Sequence, residues 1–360
     1  MELFSCKTNI ISGPGSISAL SQWNPRRLFL VTDPFFVKNG IAHSVISASK
    51  APTVEIFDGV IPDPTVELAA EGTAKLRAFQ PDLVVALGGG SAIDCAKAMA
   101  YFGKGDYKLV AIPTTSGSGS EVTDFAILTH NKVKHPLVDE RLRPDGAILD
   151  SDLLRSLPSA LIADTGFDVL AHALEAGVAK NAGDTTDLLA REAFSLACAN
   201  LPASYAGHTE VRLKVHRAST YAGLAFTQAG LGLCHAMAHA LGGLYHIPHG
   251  RLNAILLPSV ITCNAHAATP KYAQMARAAG FCGSADTVAV RNLKNGLIRL
   301  RRELNLPDTL AKAGVEPRQV WSDTAAIVEV TLADPCCETN PIPVEGFLIR
   351  RILEEVTGRV

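Results

Sequence analysis

The chain has 360 residues, more than a single hydrophobic core usually serves, so two domains are expected. Hydrophobic residues make up 48% and charged residues 19%, a globular composition, and the formal charge of −2 leaves no basic surplus to neutralise phosphates, which argues against a nucleic-acid partner. Met1–Lys7 shows no basic stretch leading into an apolar run, and the eight cysteines show no C-x-x-C spacing, with Cys336 and Cys337 adjacent; a reduced, cytoplasmic setting is therefore expected rather than a secreted disulfide framework.

Gly13-Pro14-Gly15 opens a G-x-G-x-x-G pattern, but position 18 is serine and no clear strand precedes it, so a turn is expected. Arg27–Thr32 (RLFLVT) and Val54–Phe57 are short strand candidates, and Thr65–Phe79 has helical periodicity after Pro64. Leu83–Leu87 (LVVAL) and Leu109–Ile112 (LVAI) are apolar runs flanked by Gly or Pro, as buried parallel strands should be. Ala147–Leu149 is one more short strand candidate. Beyond Ser151 the pattern turns helical, over Leu161–Lys180, Thr186–Leu201, Arg212–Gln228 and Thr287–Leu304, with no convincing strand alternation. The expected division is an α/β domain with a parallel sheet over 1–154 and an all-α domain over 155–360. Ala218–Ile247 contains no Asp, Glu, Lys or Arg and is long enough to span a bilayer. Gln228, His235, His239, His246 and several glycines make a pair of buried helices the expected reading, with no membrane partner.

Two loops follow successive strands. LVVAL runs into Gly88-Gly89-Gly90-Ser91, where the backbone can approach a ligand closely and a following helix offers its N–H groups to an anion. Ser91 and Asp94 approximate a capping box, so Asp94 is expected as a helix cap. LVAI runs into Pro113-Thr114-Thr115-Ser116-Gly117-Ser118-Gly119-Ser120, dense in hydroxyls and glycine. Donors at the carboxyl ends of parallel strands suit a dinucleotide's pyrophosphate and riboses. Asp33, after RLFLVT, could bind an adenosine ribose and repel a 2′-phosphate, or simply be a turn residue before Pro34.

Asp168 and His172 are four apart on an expected helix and share a face. Farther on, His235, His239, His246 and His249 fall within fifteen residues, with His235 and His239 on one helix face and His249 in an expected loop past Pro248. Three imidazoles and a carboxylate make a four-coordinate site for Fe²⁺ or Zn²⁺, and a cation would compensate the burial of such groups in apolar helices. Spacing does not say which histidines bind. The H-x-x-x-H spacing lacks the glutamate of a zincin protease.

Four segments carry a family resemblance: GGGSAIDCAKAMA, AIPTTSGSGSEVT, ADTGFDVLAHALEA and AGLGLCHAMAHALGGLYHIPHGRLNAILLP. In this order and spacing the chain resembles the iron-containing (group III) alcohol dehydrogenases over essentially its whole length. Pro62–Thr65 (PDPT), Thr339–Pro341 (TNP) and the compact length are similar to the propanol dehydrogenase branch of propanediol utilisation. The resemblance implies the dehydroquinate synthase-like fold of that family, a Rossmann-like α/β N-terminal domain followed by an all-α C-terminal domain. It implies metal ligation by Asp168, His172, His235 and His249, with Fe²⁺ as the usual ion and Zn²⁺ as the alternative. His239 matches a histidine near the substrate, while His246 matches no role. Asp33, Gly89, Gly90, Ser91, Thr114, Thr115, Ser118 and Lys134 match NAD(H)-binding positions, although Lys134 read alone is an ordinary surface lysine. Phe226 and Cys336 match substrate-pocket positions. Two departures are a shorter connection between Ala100 and Lys108, and Ser118 where relatives often carry threonine.

The implied chemistry is NADH-dependent reduction of short-chain aldehydes such as propionaldehyde to primary alcohols, and the reverse. The cation acts as a Lewis acid and His239 relays the proton. A homodimer is the family expectation, and a bacterial microcompartment with shell or cargo partners is a further setting the resemblance raises. Two rivals are a dehydroquinate synthase-like NAD/metal lyase and a non-catalytic metal-containing protein associated with a shell. The lyase would need basic residues for an acidic substrate, and Ala218–His249 has neither Lys nor Arg.

Overall fold

The computed structural model describes residues 4–131 and 133–358. They form two compact units, Ser5–Leu157 and the segment from Pro158 onward together with Phe4. The first unit contains β1 (Asn9–Ser12), β2 (Arg27–Val31), α1 (Pro34–Lys38), α2 (Ile41–Ser49), β3 (Thr53–Phe57), α3 (Val66–Phe79), β4 (Leu83–Gly88), α4 (Gly90–Gly103), β5 (Lys108–Pro113), β6 (Phe125–His130), β7 (Val133–Val138) and β8 (Gly146–Leu149). The main sheet runs β1-β8-β5-β4-β2-β3 with every pairing parallel. The pleat sorts side chains by period two. Phe29, Val31, Val84 and Ala86 face Leu76, Phe79, Ile93 and Met99 of α3 and α4. Leu28, Leu30, Val85 and Leu87 face Phe36, Ala42 and Val45 of α1 and α2.

Strand β2 is flanked by β3 on one side and by β4, then β5, on the other. The winding direction therefore reverses between β2 and β4, and ligands of such sheets bind outside the carboxyl ends at that point. Asp33 follows β2 and Gly89 follows β4 there. Three strands escaped the sequence reading. β1 is a half-exposed edge (NIIS), and β6 with β7 forms a separate antiparallel ribbon in which Phe125 faces Val138 and Thr129 faces Lys134.

Asp94 does not cap α4. The N-cap is Gly89, and the Asp94 carboxylate instead accepts from the Ser120 hydroxyl and from the Ile127 N–H at 3.0 Å. One turn on, the fully buried Lys97 ammonium donates to Ser120 Oγ (3.0 Å), Thr123 O (3.0 Å), Thr123 Oγ1 (2.8 Å) and Phe125 O (2.9 Å). Burial pushes the Asp94 carboxyl up and pulls Lys97 down to about 8, each charge opposing the other's shift. This polar knot ties the segment from Ser120 to Ile127 onto α4. Breaking a buried pair by removing one partner costs far more than exchanging both. Lys97→Met is expected to destabilise the protein by roughly 3–5 kcal/mol, and Asp94→Asn in the same chain should restore part of the loss, read from urea unfolding midpoints of the single and double variants.

The second unit contains α5 (Ser159–Val178), α6 (Asp184–Tyr205), α7 (Arg212–Ala229), α8 (Leu233–Tyr245), α9 (His249–Ala278), α10 (Asp286–Glu303), α11 (Pro317–Leu332), α12 (Cys336–Thr339) and α13 (Gly346–Val356), with no strand among its described residues. Helix α5 packs against α6, α7 and α9, and every residue from Gly166 to Val178 is buried. A helix enclosed on all sides reads as apolar all round, so any polar group it carries must find a partner inside the protein. Helices α7 and α8 break at Gly230–Gly232, where Gly230 takes φ +82°. Among the described residues no helix is long and apolar enough to cross a membrane. His249 is not in a loop: it is the first residue of α9, set by Pro248 at the N-cap.

Candidate active site

Helix α5 places Asp168 and His172 one turn apart, α8 supplies His235, and the first turn of α9 supplies His249. Three imidazole nitrogens face one carboxylate oxygen. Asp168 Oδ1 lies 3.9 Å from His172 Nδ1, 3.7 Å from His235 Nε2 and 3.6 Å from His249 Nε2. These distances are too long for hydrogen bonds. The donor atoms of Asp168, His235 and His249 all lie within 4.8 Å of one another, as donors around a common ion do, while His172 approaches Asp168 from the same helix without joining that group. The rings are also packed: His172 stacks between Phe226 (4.5 Å) and His235 (4.4 Å). Burial raises the cost of charging Asp168, but the surrounding histidines outweigh it and hold the carboxyl well below its usual range. Burial and the neighbouring imidazoles push His249 far down, Asp168 opposing them. Burial alone would lower His235 too, yet Asp168 and Glu175 raise it to about 9.

Three residues that support the site were missed in the sequence. Glu175, buried on α5, accepts from the N–H groups of Gly232 (3.0 Å), Cys234 (2.7 Å) and His235 (3.2 Å), so its carboxylate caps α8. It also meets His235 Nδ1 at 2.6 Å, which orients the ring with Nε2 towards Asp168. Gly232 stands where a Cβ would come within 2.7 Å of Glu175 Oε1. Asn253 Nδ2 donates to Asp168 Oδ1 at 2.8 Å and lies 3.3 Å from His235 Nε2. Glu175 is seven residues after Asp168, and Asn253 is four after His249. That spacing repeats on one helix face and could have found both. Gly250 lets α9 touch α5, because a Cβ there would sit 1.8 Å from the Asp164 carbonyl oxygen. Arg251 then clamps the Asp164 carboxylate at 3.1 and 2.9 Å.

His239 stacks on His249 with ring centres 5.1 Å apart and is not among the nitrogens facing Asp168 Oδ1. Its Nδ1 lies 2.8 Å from Asp334 Oδ2, the third missed residue, and no spacing signal links these two positions. Cys336 donates its N–H to Asp334 Oδ1 at 2.9 Å. His246 is exposed, with φ +55°, as the C-cap of α8.

In the first unit the two expected loops meet. A Cβ on Gly89 would lie 3.2 Å from Thr115 Oγ1, and one on Gly90 would lie 3.0 Å from Ser118 Oγ. Thr114 donates its N–H to the Gly88 carbonyl at 3.0 Å, and Ser91 lies in the first turn of α4. Asp33 is the N-cap of α1, its Oδ1 accepting from Phe35 N (2.8 Å) and Phe36 N (3.4 Å), while Oδ2 lies beside Gly88. Lys134, on β7, pairs with Asp63 at 2.6 Å.

Residues 7–151 match the family profile described as iron-containing alcohol dehydrogenase, and residues 162–357 match that of the Fe-containing alcohol dehydrogenase family, C-terminal. The chain belongs to the iron-containing alcohol dehydrogenase family. It is 41% identical to the 1-propanol dehydrogenase PduQ of Salmonella typhimurium, over 99% of this chain and 100% of that one. A 1,3-propanediol oxidoreductase crystal structure superposes with a TM-score of 0.92 at 33% identity, covering 98% of this chain and 99% of that one. The sulfoacetaldehyde reductase of Bifidobacterium kashiwanohense, solved with NAD⁺, has a TM-score of 0.90 at 28% identity, covering 98% of each chain. The chain is thus an oxidoreductase with alcohol dehydrogenase activity on small alcohols and aldehydes, and the family implies iron and NAD(H).

Loss of the Glu175 carboxylate should loosen His235 without emptying the core of a side chain. Glu175→Gln is expected to weaken Fe²⁺ binding by about 10–100-fold with an unchanged far-ultraviolet circular dichroism spectrum, measured by metal titration under anaerobic conditions. Gly250→Ala, which forces the start of α9 away from α5, should lower metal content in elemental analysis more than Gly243→Ala, where a Cβ meets nothing within 4 Å.

Proposed function

We propose that this enzyme interconverts short-chain aldehydes, propionaldehyde among them, and primary alcohols with NAD(H), using Fe²⁺, with Zn²⁺ as the alternative ion, held by Asp168, His172, His235 and His249. The observation that carries the reading is the convergence of three imidazole nitrogens on one buried carboxylate oxygen at 3.6–3.9 Å. A divalent ion there would supply Lewis-acid polarisation of a carbonyl oxygen, and a nicotinamide would supply the hydride.

The protein's own residues bind, orient and move a proton. Gly89, Gly90 and Ser91 open the backbone to a pyrophosphate, and Thr114, Thr115 and Ser118 add hydroxyls beside it. Asp33 keeps one carboxylate oxygen for a ribose hydroxyl and repels a 2′-phosphate. Lys134 completes the cofactor contacts once it exchanges Asp63 for a phosphate oxygen. Phe226 forms an apolar wall beside His172, and Cys336 contributes a small side chain to the pocket. His239 donates its Nδ1–H to Asp334, so Nε2 is the atom that takes or gives the proton of the alcohol hydroxyl. The absence of Lys and Arg from Ala218–His249 disfavours an acidic, polyhydroxylated substrate and with it a dehydroquinate synthase-like lyase.

Anaerobically purified protein assayed against an aldehyde panel with NADH and NADPH should favour propionaldehyde-sized substrates and NADH; steady NADPH preference would remove the role of Asp33. His249→Ala is expected to lose bound metal and turnover while retaining its circular dichroism spectrum, and undiminished turnover in metal-depleted protein would overturn the proposal. Asp334→Asn should lower kcat on the order of 10²-fold with little change in KM for the aldehyde.

A further inference from the structure

Beside the Asp168 cluster lies a second group of different chemistry. An imidazole nitrogen of His239, a carboxylate oxygen of Asp334 and the sulfur of Cys336 all fall within 4.8 Å of one another. The group is held on a fixed frame. Asp334 bonds His239 Nδ1 through one oxygen and the Cys336 N–H through the other. The Cys336–Thr339 helix is tied down in turn: Thr339 Oγ1 donates to Leu231 O at 2.6 Å, Thr339 O accepts from Lys180 N at 2.8 Å, and Asn340 Oδ1 accepts from Leu233 N at 3.1 Å. The side chains are only partly covered, His239 being 27% and Asp334 15% exposed, so an ion has access.

Nitrogen, oxygen and sulfur donors together select a borderline ion, because thiolate favours Zn²⁺ or Co²⁺ over harder cations. We propose that His239, Asp334 and Cys336 form a second, thiolate-containing site for a divalent cation of the Zn²⁺ type, separate from the all-oxygen-and-nitrogen cluster at Asp168. On binding, the Cys336 S–H bond breaks and its proton leaves to solvent while sulfur keeps the electron pair. The Nδ1 proton of His239 passes to Nε2, so one proton is released in all and nothing is oxidised or reduced. Burial, then Asp334, holds the Cys336 thiol protonated well above the usual range. Coordination of the thiolate gives a specific signal, a sulfur-to-metal charge-transfer band. Binding at the site goes beyond the aldehyde-reduction reading. Its consequence for turnover rests on that reading, because a cation on Nδ1 would take His239 out of proton transfer.

The test uses full-length protein carrying one equivalent of Fe²⁺, titrated anaerobically with Co²⁺. A further equivalent should bind with a sulfur-to-cobalt charge-transfer band, which oxygen and nitrogen ligands cannot produce. The band should persist in Cys337→Ser, vanish in Cys336→Ser, and require about tenfold more Co²⁺ or worse in Asp334→Asn. Absence of the band in the unmodified protein, or its survival in Cys336→Ser, would overturn the site. In parallel, Zn²⁺ should inhibit aldehyde reduction by the iron-loaded enzyme, and Cys336→Ser should be inhibited less when each enzyme's rate is taken relative to its own rate without Zn²⁺. A band without inhibition would uphold the site and remove His239 from proton transfer.

Discussion

The second unit is organised around a carboxylate that cannot be satisfied by protons alone. Asp168 is buried, and three imidazole nitrogens stand 3.6–3.9 Å from one of its oxygens. Two imidazolium charges about 4 Å apart would repel by roughly 4 kcal/mol at an effective dielectric of 20, so neighbouring rings here cannot all be protonated. The opposite shifts of His235, up to about 9, and His249, far down, express that conflict. The divalent ion proposed above would relieve it, because a cation neutralises the carboxylate and takes imidazole lone pairs without a proton. Glu175, Asn253 and Gly250 are intelligible as parts of the same solution. One orients an imidazole ring, one bridges two of the facing groups, and one lets two helices approach.

The first unit uses a different physics. Its loops offer backbone and hydroxyl groups, and their closeness depends on missing side chains: Gly89 against Thr115 and Gly90 against Ser118. The hydroxyl-rich loop is then held by a charge. Lys97 gathers four acceptors from Ser120 to Phe125, and Asp94 holds Ser120 and Ile127 from the same helix. A buried ammonium is costly unless its protons are all accepted. Here they are, and the cost is offset by holding the Ser120–Ile127 segment on α4.

Legibility in the sequence followed the strength of local periodicity. β2, β4 and β5 were readable because buried parallel strands are unbroken apolar runs, and α5, α6, α7 and α10 because their apolar residues repeat at helical spacing. β1, β6 and β7 were not, since an edge strand and a ribbon carrying His130, Lys134, His135 and Pro136 have no such run. Asp94 was misread because Ser91 stands three residues before it, which mimics a cap. The residue that decided its role, Ser120, is 26 positions away. His249 was misread because Pro248 looks like a loop signal, although it is also the N-cap of α9.

Short-range patterns were enough to say which chemistry the chain can support. A carboxylate and a histidine one turn apart, a histidine cluster in an apolar stretch, and two glycine-bearing loops after successive apolar runs are all short-range patterns, and the family resemblance rests on them. Helix packing settled which histidine nitrogens face Asp168, that Glu175 orients His235, and that Asp334 and Cys336 come to His239 from about a hundred residues away. Those partners depend on how α5, α8, α9 and α11 pack, and packing is set by the sum of many apolar contacts rather than by any local spacing.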